Sequence, residues 1–431
     1  MMFRAYCQKM KSPGFLCLVA LSLLLFNTSC NNVAITPEPE PVEISFSFVL
    51  ANDRTNDVAY YESLVAQFNA RYPYITVDVD PVNRDPLLQY SEADIFLLDS
   101  DEYRDFKERG SILALDSFIE QDKSFDQSDF FPGAMNTASD EGQTWAIPAG
   151  VDPFVMFYNK DLFDQNGVDY PDFEWTWDDF LNAAIAISDP DAGKYGYGPA
   201  AFGLNSGNMD SWFFIYQHGG RIPDDIQNPT RVIFDDPLTI EALEWYADLF
   251  HVHHAAPIAE QTLGSFGGAI EYSIYNGIFD GHVGQWIGTL SGRGGQFYYF
   301  SEWPFRWGMV TLPRGAQPFS YAFGDFFAIS SQTDNPEAAW KWLAFLTEQV
   351  PLRLMPARMS VAESAIYKEQ VGEEIAAFAL DAMDGAAFPR RRSSDEYLNQ
   401  LDLFWDAVGK IINEGLTPSE AMSWAEREST Q

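Results

Sequence analysis

Three groups of residues stand out for the chemistry they offer. Asp325 follows Gly324 inside the apolar stretch Tyr321–Ser330 (YAFGDFFAIS). A carboxylate between Phe323 and Phe326 is costly to bury unless something bonds it, whether a ligand or an internal donor. Asp99 and Asp101 come straight after the apolar run Ala93–Leu98 (ADIFLL). Carboxylates there can accept paired hydroxyl groups of a ligand, or cap a helix beginning at Glu102. Trp286 sits among Gly281, Gly284 and Gly288, a setting poorly explained as helix core. Its ring offers a flat, stiff face for stacking.

Other chemistries find little support. His251, His253 and His254 (HVHH) do not share one face of a helix and have no cysteine partners, so a solvated helix end is expected and no metal site. No phosphate-binding loop and no nucleophile elbow occurs. Carboxylates are plentiful, but nothing in their spacing defines a glycosidase pair. No enzyme activity and no cofactor are expected.

Composition narrows the partners. The chain has 431 residues with 26 Lys+Arg against 63 Asp+Glu, a net charge of −37. Phosphate backbones need a basic face, so nucleic acid is excluded as a main partner, and an anionic membrane surface is disfavoured. Neutral or cationic ligands remain open. Hydrophobic residues make up 46% and charged residues 21%, as in globular proteins of two or three domains. The single basic cluster, Arg390–Arg392, reads as a solvated loop.

The first thirty residues read as a targeting segment. Arg4, Lys9 and Lys11 precede the apolar run Phe15–Phe26, too short to span a membrane and the right length for a secretory signal. Thr28, Ser29 and Cys30 follow, and then a Pro/Glu tether over residues 31–43 that favours extended chain. The pattern resembles a bacterial lipoprotein signal with Cys30 as the lipidated residue, although Asn27 stands where such signals carry an aliphatic side chain. Cys7 and Cys17 lie inside the signal, so the mature chain has no intramolecular disulfide. The expected location is outside the cytoplasm, at the outer face of the cytoplasmic membrane or in the periplasm.

The elements that must position these residues alternate. Ile44–Leu50 and Ile75–Val79 have strand periodicity, and Ala93–Leu98 reads as a buried parallel strand. Helical spacing covers Tyr60–Tyr72 and Tyr103–Arg109. Trp145–Tyr158 reads as a strand pair interrupted by Pro148, Gly150 and Pro153. Thr176 with Asp179 forms a capping-box signature for a helix to about Ser188. Pro237–His251 is helical, with Leu238, Leu243, Tyr246 and Leu249 as candidates for its buried side. Residues 264–295 hold ten glycines and read as broken and turn-rich. Phe305–Leu312 and Phe323–Ser330 are strands, and helices cover Pro336–Thr347, Glu363–Asp384, Glu396–Glu414 and Pro418–Glu428. Strand–helix alternation predicts an α/β fold with mainly parallel sheets flanked by helices.

Several phrases resemble a known family in order and spacing: Phe68–Val79, Asp94–Leu115, Trp145–Leu181 with its YNKDLF and TWDDF pieces, Glu271–Gly288 and Trp307–Thr347. Together they resemble extracellular solute-binding proteins of ABC sugar importers, similar to maltose-binding protein, over residues 44–431. The resemblance implies two α/β lobes with a ligand cleft between them, the type II periplasmic-binding-protein fold. One lobe would hold residues 44–150 and 313–356, the other 151–312 and 357–431. Crossings would fall near Gly150–Pro153, Leu312–Arg314 and Pro356–Arg358. It implies a monomer that delivers a carbohydrate to ABC permease subunits, tethered to the membrane by its lipid. A polyamine or glycerol-phosphate-type solute is the alternative. Ligand contacts carried over by the resemblance are Asn52, Asp53, Arg54, Asp152, Trp212 and Trp405, beside Asp99, Asp101, Trp286, Gly324 and Asp325.

Overall fold

The structure is a computed structural model that describes residues 40–49, 55–82, 92–200, 209–226, 228–258, 277–295, 302–388 and 394–430. From Val42 onward the chain forms one compact unit. Its strands are β1 Val42–Phe48, β2 Ile75–Val79, β3 Ile95–Asp99, the hairpin β4 Ser139–Asp140 and β5 Gln143–Thr144, and β6 Ile147–Asn159. They continue with β7 Tyr195–Tyr197, β8 Val283–Thr289, β9 Trp307–Val310, β10 Ser320–Ile329, β11 Met355–Pro356 and β12 Ala386–Ala387.

The fold is the expected two-lobe α/β architecture. The main sheet runs β2-β1-β3-β10-β6-β8-β7. Strands that alternate with helices are parallel: β1 pairs so with β2 and β3, and β7 with β8. The strands that pass between lobes run antiparallel to them. β10 pairs antiparallel with β3 and with residues 147–153 of β6, and residues 154–159 of β6 pair with β8 and β9. β6 is thus one thirteen-residue strand serving both lobes, where the sequence predicts an interrupted pair. The prolines do not break it because Pro148 lies beside a register shift, opposite Phe326, a place where a strand tolerates proline.

The amino-side lobe is held by the helix Thr55–Arg71, with Asp57 in its first turn and Arg71 in its last, the polarity that the helix dipole favours. Its Leu64 and Phe68, one turn apart, are buried with Phe46, Phe48 and Trp342. In the carboxyl-side lobe the helix Trp177–Ile187 starts at a complete capping box, in which the Thr176 side chain accepts from Asp179 N and Asp179 from Thr176 N. The helices Pro237–His251 and Pro336–Thr347 keep their predicted bounds. Leu238 is 41% exposed, so it is not on the buried side of its helix. Among the described residues no helix is long and apolar enough to cross a membrane.

Around the expected crossings, Arg314 N donates to Trp175 O and Gln317 N to Gln217 O, and Ser360 N and Oγ donate to Asp129. Part of the glycine-rich stretch is the strand β8. Gly284 is there for space: a Cβ would come 2.9 Å from Gly196 O and 3.0 Å from Ile187.

Candidate functional site

A cavity of about 650 Å³ opens at the carboxyl ends of β1 and β3 and takes its wall from both lobes. Ligands of parallel α/β sheets bind at such ends. The amino-side lobe supplies Phe48 and Val49 from the end of β1, Leu97–Asp99 from the end of β3, and Asp57, Tyr60 and Tyr61 from the first helix. Ser100 and Glu102, Ala149 of β6, Phe323–Asp325 and Phe327 of β10, Leu346 and Pro351–Leu354 also line that side, and Asp152 of β6 lies where the lobes meet. The carboxyl-side lobe supplies Phe154 and Phe157 of β6, Phe279, Trp286–Thr289 of β8, Ser291, Gly292, Gly295 and Trp303.

Asp99 and Asp325 are direct neighbours across the β3–β10 pair, and both line the cavity. Paired residues share a face of the sheet, so two like charges stand side by side on the floor, an arrangement that costs a few tenths to about 1 kcal/mol. Asp99 is also bound locally: its Oδ1 accepts from Glu102 N at 2.8 Å, and Glu102 Oε2 accepts from Asp99 N at 2.9 Å. The capping role is therefore present, and the same pair of carboxylates borders the cavity. Gly324 brings backbone close to backbone, since a Cβ there would lie 3.3 Å from Gly150 O.

Asp152 is 8% exposed and accepts from Ser291 N at 2.8 Å and Ser291 Oγ at 2.6 Å. Burial raises its pKa above the ordinary carboxylate value, against the two Ser291 hydrogen bonds that favour the charged form. Asp57 pairs with Arg353 at 3.8 Å. The Tyr60 hydroxyl donates to Val350 O at 2.8 Å. Burial raises the Tyr61 pKa well above its ordinary value, and the charges of Tyr60, Asp325 and Asp57 push the same way. Tyr61 therefore stays a neutral phenol on an acidic wall.

Trp286 is 4% exposed. Its ring is stacked on Phe157 at 6.0 Å and 28° and meets Trp303 edge-on at 4.9 Å and 87°. The ring expected to offer a stacking face is packed into the wall, where it still lines the cavity. Of its glycine neighbours, Gly284 lies close to the backbone of Gly196, and Gly288 faces the Phe157 ring. Trp303 is half-buried and also packs against Phe157, at 5.1 Å.

Trp212 and Trp405 are brought together, but away from this wall. Their rings lie 5.3 Å apart, and Trp212 meets Tyr321 edge-on at 4.9 Å; neither tryptophan is among the cavity-lining residues. Asn52, Asp53, Arg54, Cys30 and Arg390–Arg392 lie outside the described residues, as does the side chain of Asp101. His251 Nε2 lies 3.0 Å from Ile411 O and His254 Nδ1 lies 3.1 Å from Phe250 O. Among the described residues no group of His, Cys, Asp and Glu is placed to hold a metal. Sequence reasoning missed Asp57, Tyr61, Phe157, Ser291 and Trp303. The signal available for Trp303 was the aromatic string Trp303–Trp307 following the glycine-rich stretch.

Two α/β lobes sharing β6 and β10, with a cavity between aromatic and acidic walls, define a protein that traps a small solute. The chain belongs to the family of bacterial extracellular solute-binding proteins, whose model matches residues 51–349. It is similar to an arabinooligosaccharide-binding protein of Halalkalibacterium halodurans, at 27% identity over 59% of this chain and 58% of that protein. In fold it is similar to the cyclic alpha-maltosyl-1,6-maltose binding protein of Arthrobacter globiformis. That structure has a TM-score of 0.69 and 20% identity, over 90% of this chain and 98% of the other. An ABC substrate-binding protein of Listeria monocytogenes in complex with cycloalternan gives 0.66 and 21%, over 91% and 98%. The structural likenesses, at such identities, mark a shared fold.

Proposed function

We propose that this protein is the substrate-binding component of an ABC importer. It captures a carbohydrate, an oligosaccharide or glycoside, and presents it to permease subunits. The observation that carries the reading is the composition of the wall: carboxylates, which accept hydroxyl donors, line the same cavity as Trp303 and Trp286, rings of the kind that cover apolar C–H faces. Binding closes the amino-side lobe on the carboxyl-side lobe about the shared strands, and the closed monomer docks on the permease. The protein is exported and held at the membrane by lipid on Cys30. It binds and does not turn over its ligand.

Calorimetric titration with arabino- and malto-oligosaccharides, spermidine and glycerophosphodiesters tests the ligand class. Saturable binding of a neutral saccharide is expected. Binding confined to spermidine or to a phosphodiester overturns the carbohydrate reading, and release of nitrophenol from chromogenic glycosides overturns the non-catalytic one. Mass spectrometry of the membrane fraction should find a lipidated mature chain beginning at Cys30; an unmodified residue there removes the anchor.

A further inference from the structure

We propose that Arg293 is a positioning residue for ligand capture, tying the solute-facing turn Leu290–Gly295 of the carboxyl-side lobe to the main chain of Arg353 in the amino-side lobe. The inference rests on the solute-binding reading above. The turn follows β8 and gives Ser291, Gly292 and Gly295 to the cavity wall, whereas Arg293 is not a lining residue. Gly294 and Gly295 have φ of +75° and +85°, so the sharp return depends on glycine. The Arg293 guanidinium donates to Leu290 O at 3.2 Å and to Arg353 O. One contact holds the turn in shape, and the other crosses to the opposite lobe.

Arg353 is anchored on its own side. Its guanidinium reaches Asp57 of the first helix, and Met355–Pro356 just beyond it pair with Val151 and Gly150 of β6. The same turn has a second tie, since Ser291 holds both oxygens of Asp152. A solute in the cavity that touches Ser291 on one side and Arg353 on the other meets two surfaces that Arg293 already holds in register.

The chemistry of the tie suits a reversible one. Both carbonyls accept from one guanidinium nitrogen, Nη1, which carries two hydrogens. Separating a guanidinium from a carbonyl lets water replace both partners, whereas splitting a buried ion pair strands a charge. Because the tie and the ligand favour the same arrangement of the lobes, each strengthens the other.

The test uses the mature chain, residues 30–431, with Cys30→Ser and spin labels at Asp78→Cys and Asp191→Cys, exposed positions of the two lobes. Wild type, Arg293→Gln and Arg293→Lys are compared by electron–electron double resonance without ligand, and by stopped-flow dissociation of maltotriose and arabinotriose. Arg293→Gln is expected to lengthen and broaden the interlobe distances, and to speed dissociation about ten- to a hundred-fold, the loss of a hydrogen bond made by a charged group. Arg293→Lys, which keeps the charge on a shorter side chain whose ammonium cannot sit where Nη1 does, should fall between, and carries the test alone if the glutamine variant does not fold. A distance distribution superimposable on wild type in the folded variants overturns the proposal. Failure of the wild type to bind either saccharide overturns the carbohydrate reading instead, and the distances still decide the role of Arg293.

Discussion

The described cavity-lining residues divide by lobe. Asp57, Tyr60, Tyr61, Asp99, Glu102, Asp325 and Arg353 come from the amino-side lobe, and Asp152 lies on β6 where that lobe passes into the other, so no titratable side chain on the wall comes from the body of the carboxyl-side lobe. The carboxyl-side lobe contributes Phe154, Phe157, Phe279, Trp286 and Trp303, with only Thr289 and Ser291 as polar side chains. One lobe can therefore read the direction of hydroxyl groups while the other covers apolar faces, and neither holds a complete site. In the proposed carbohydrate-binding role, high affinity requires both walls at once, which would make lobe closure part of recognition.

Replacing Trp286 probes the aromatic wall hardest. Its ring is enclosed by Phe157 and Trp303, so Trp286→Ala should cost about 3–5 kcal/mol of stability, read by urea unfolding with an unchanged m-value. A variant that unfolds like the wild type but binds poorly would restore the free platform and sharpen the division between lobes. Trp303 is half-buried, so its loss should fall on binding. Trp303→Ala is expected to weaken saccharide affinity about ten- to a hundred-fold, the value of burying roughly 1.5–3 kcal/mol of apolar surface. An equal loss of stability in the two variants breaks the distinction between a packed ring and a ligand-facing one.

Asp152 stands where the walls meet. Asp152→Ala leaves the Ser291 N–H and O–H without their acceptor, an expected loss of about 1–3 kcal/mol, whereas Asp152→Asn keeps an oxygen for the N–H and offers a donor to Oγ. Burial raises the Asp152 pKa, so the folded state takes up a proton at higher pH than the unfolded chain. Its contribution is full below the ordinary carboxylate pKa and is lost as pH rises through the raised value. The melting temperature of Asp152→Asn relative to wild type should therefore climb as pH is raised from about 4. A flat difference removes the burial argument. The smallest effect is expected at the floor. Asp325→Asn removes one of the two carboxylates paired across β3 and β10 and should change stability by less than about 1 kcal/mol while weakening ligand binding; a larger loss of stability would mean that Asp325 is chiefly a structural acceptor.

Periodicity exposed much of the fold. Ile75–Val79 and Pro336–Thr347 form where spacing predicts them, and the Thr176 capping box sets the start of its helix. β6 was hidden because Pro148, Gly150 and Pro153 are punctuation to local reasoning, and only pairing with β10 shows how the strand accommodates them. The floor was partly legible, because a carboxylate after a buried strand or inside an apolar one is conspicuous. The aromatic wall was not. A tryptophan's type is the same in core and cleft, and the faces of Trp286, Trp212 and Trp405 are set by neighbours distant in sequence. The bonds of Arg314 to Trp175 and of Gln317 to Gln217 are likewise ones that no local pattern encodes.

The place of β10 also governs how the chain is made. It lies in the middle of the sheet, between β3 and β6, yet its first residue is Ser320. A ribosome that has finished β6 at Asn159 has produced strands with no partner for their inner edges, and it must make the whole run to Ser320 before the gap can close. Until then the amino-side lobe cannot be completed, and open edges favour pairing with the wrong chain. Such late closure gives slow folding through contacts distant in sequence.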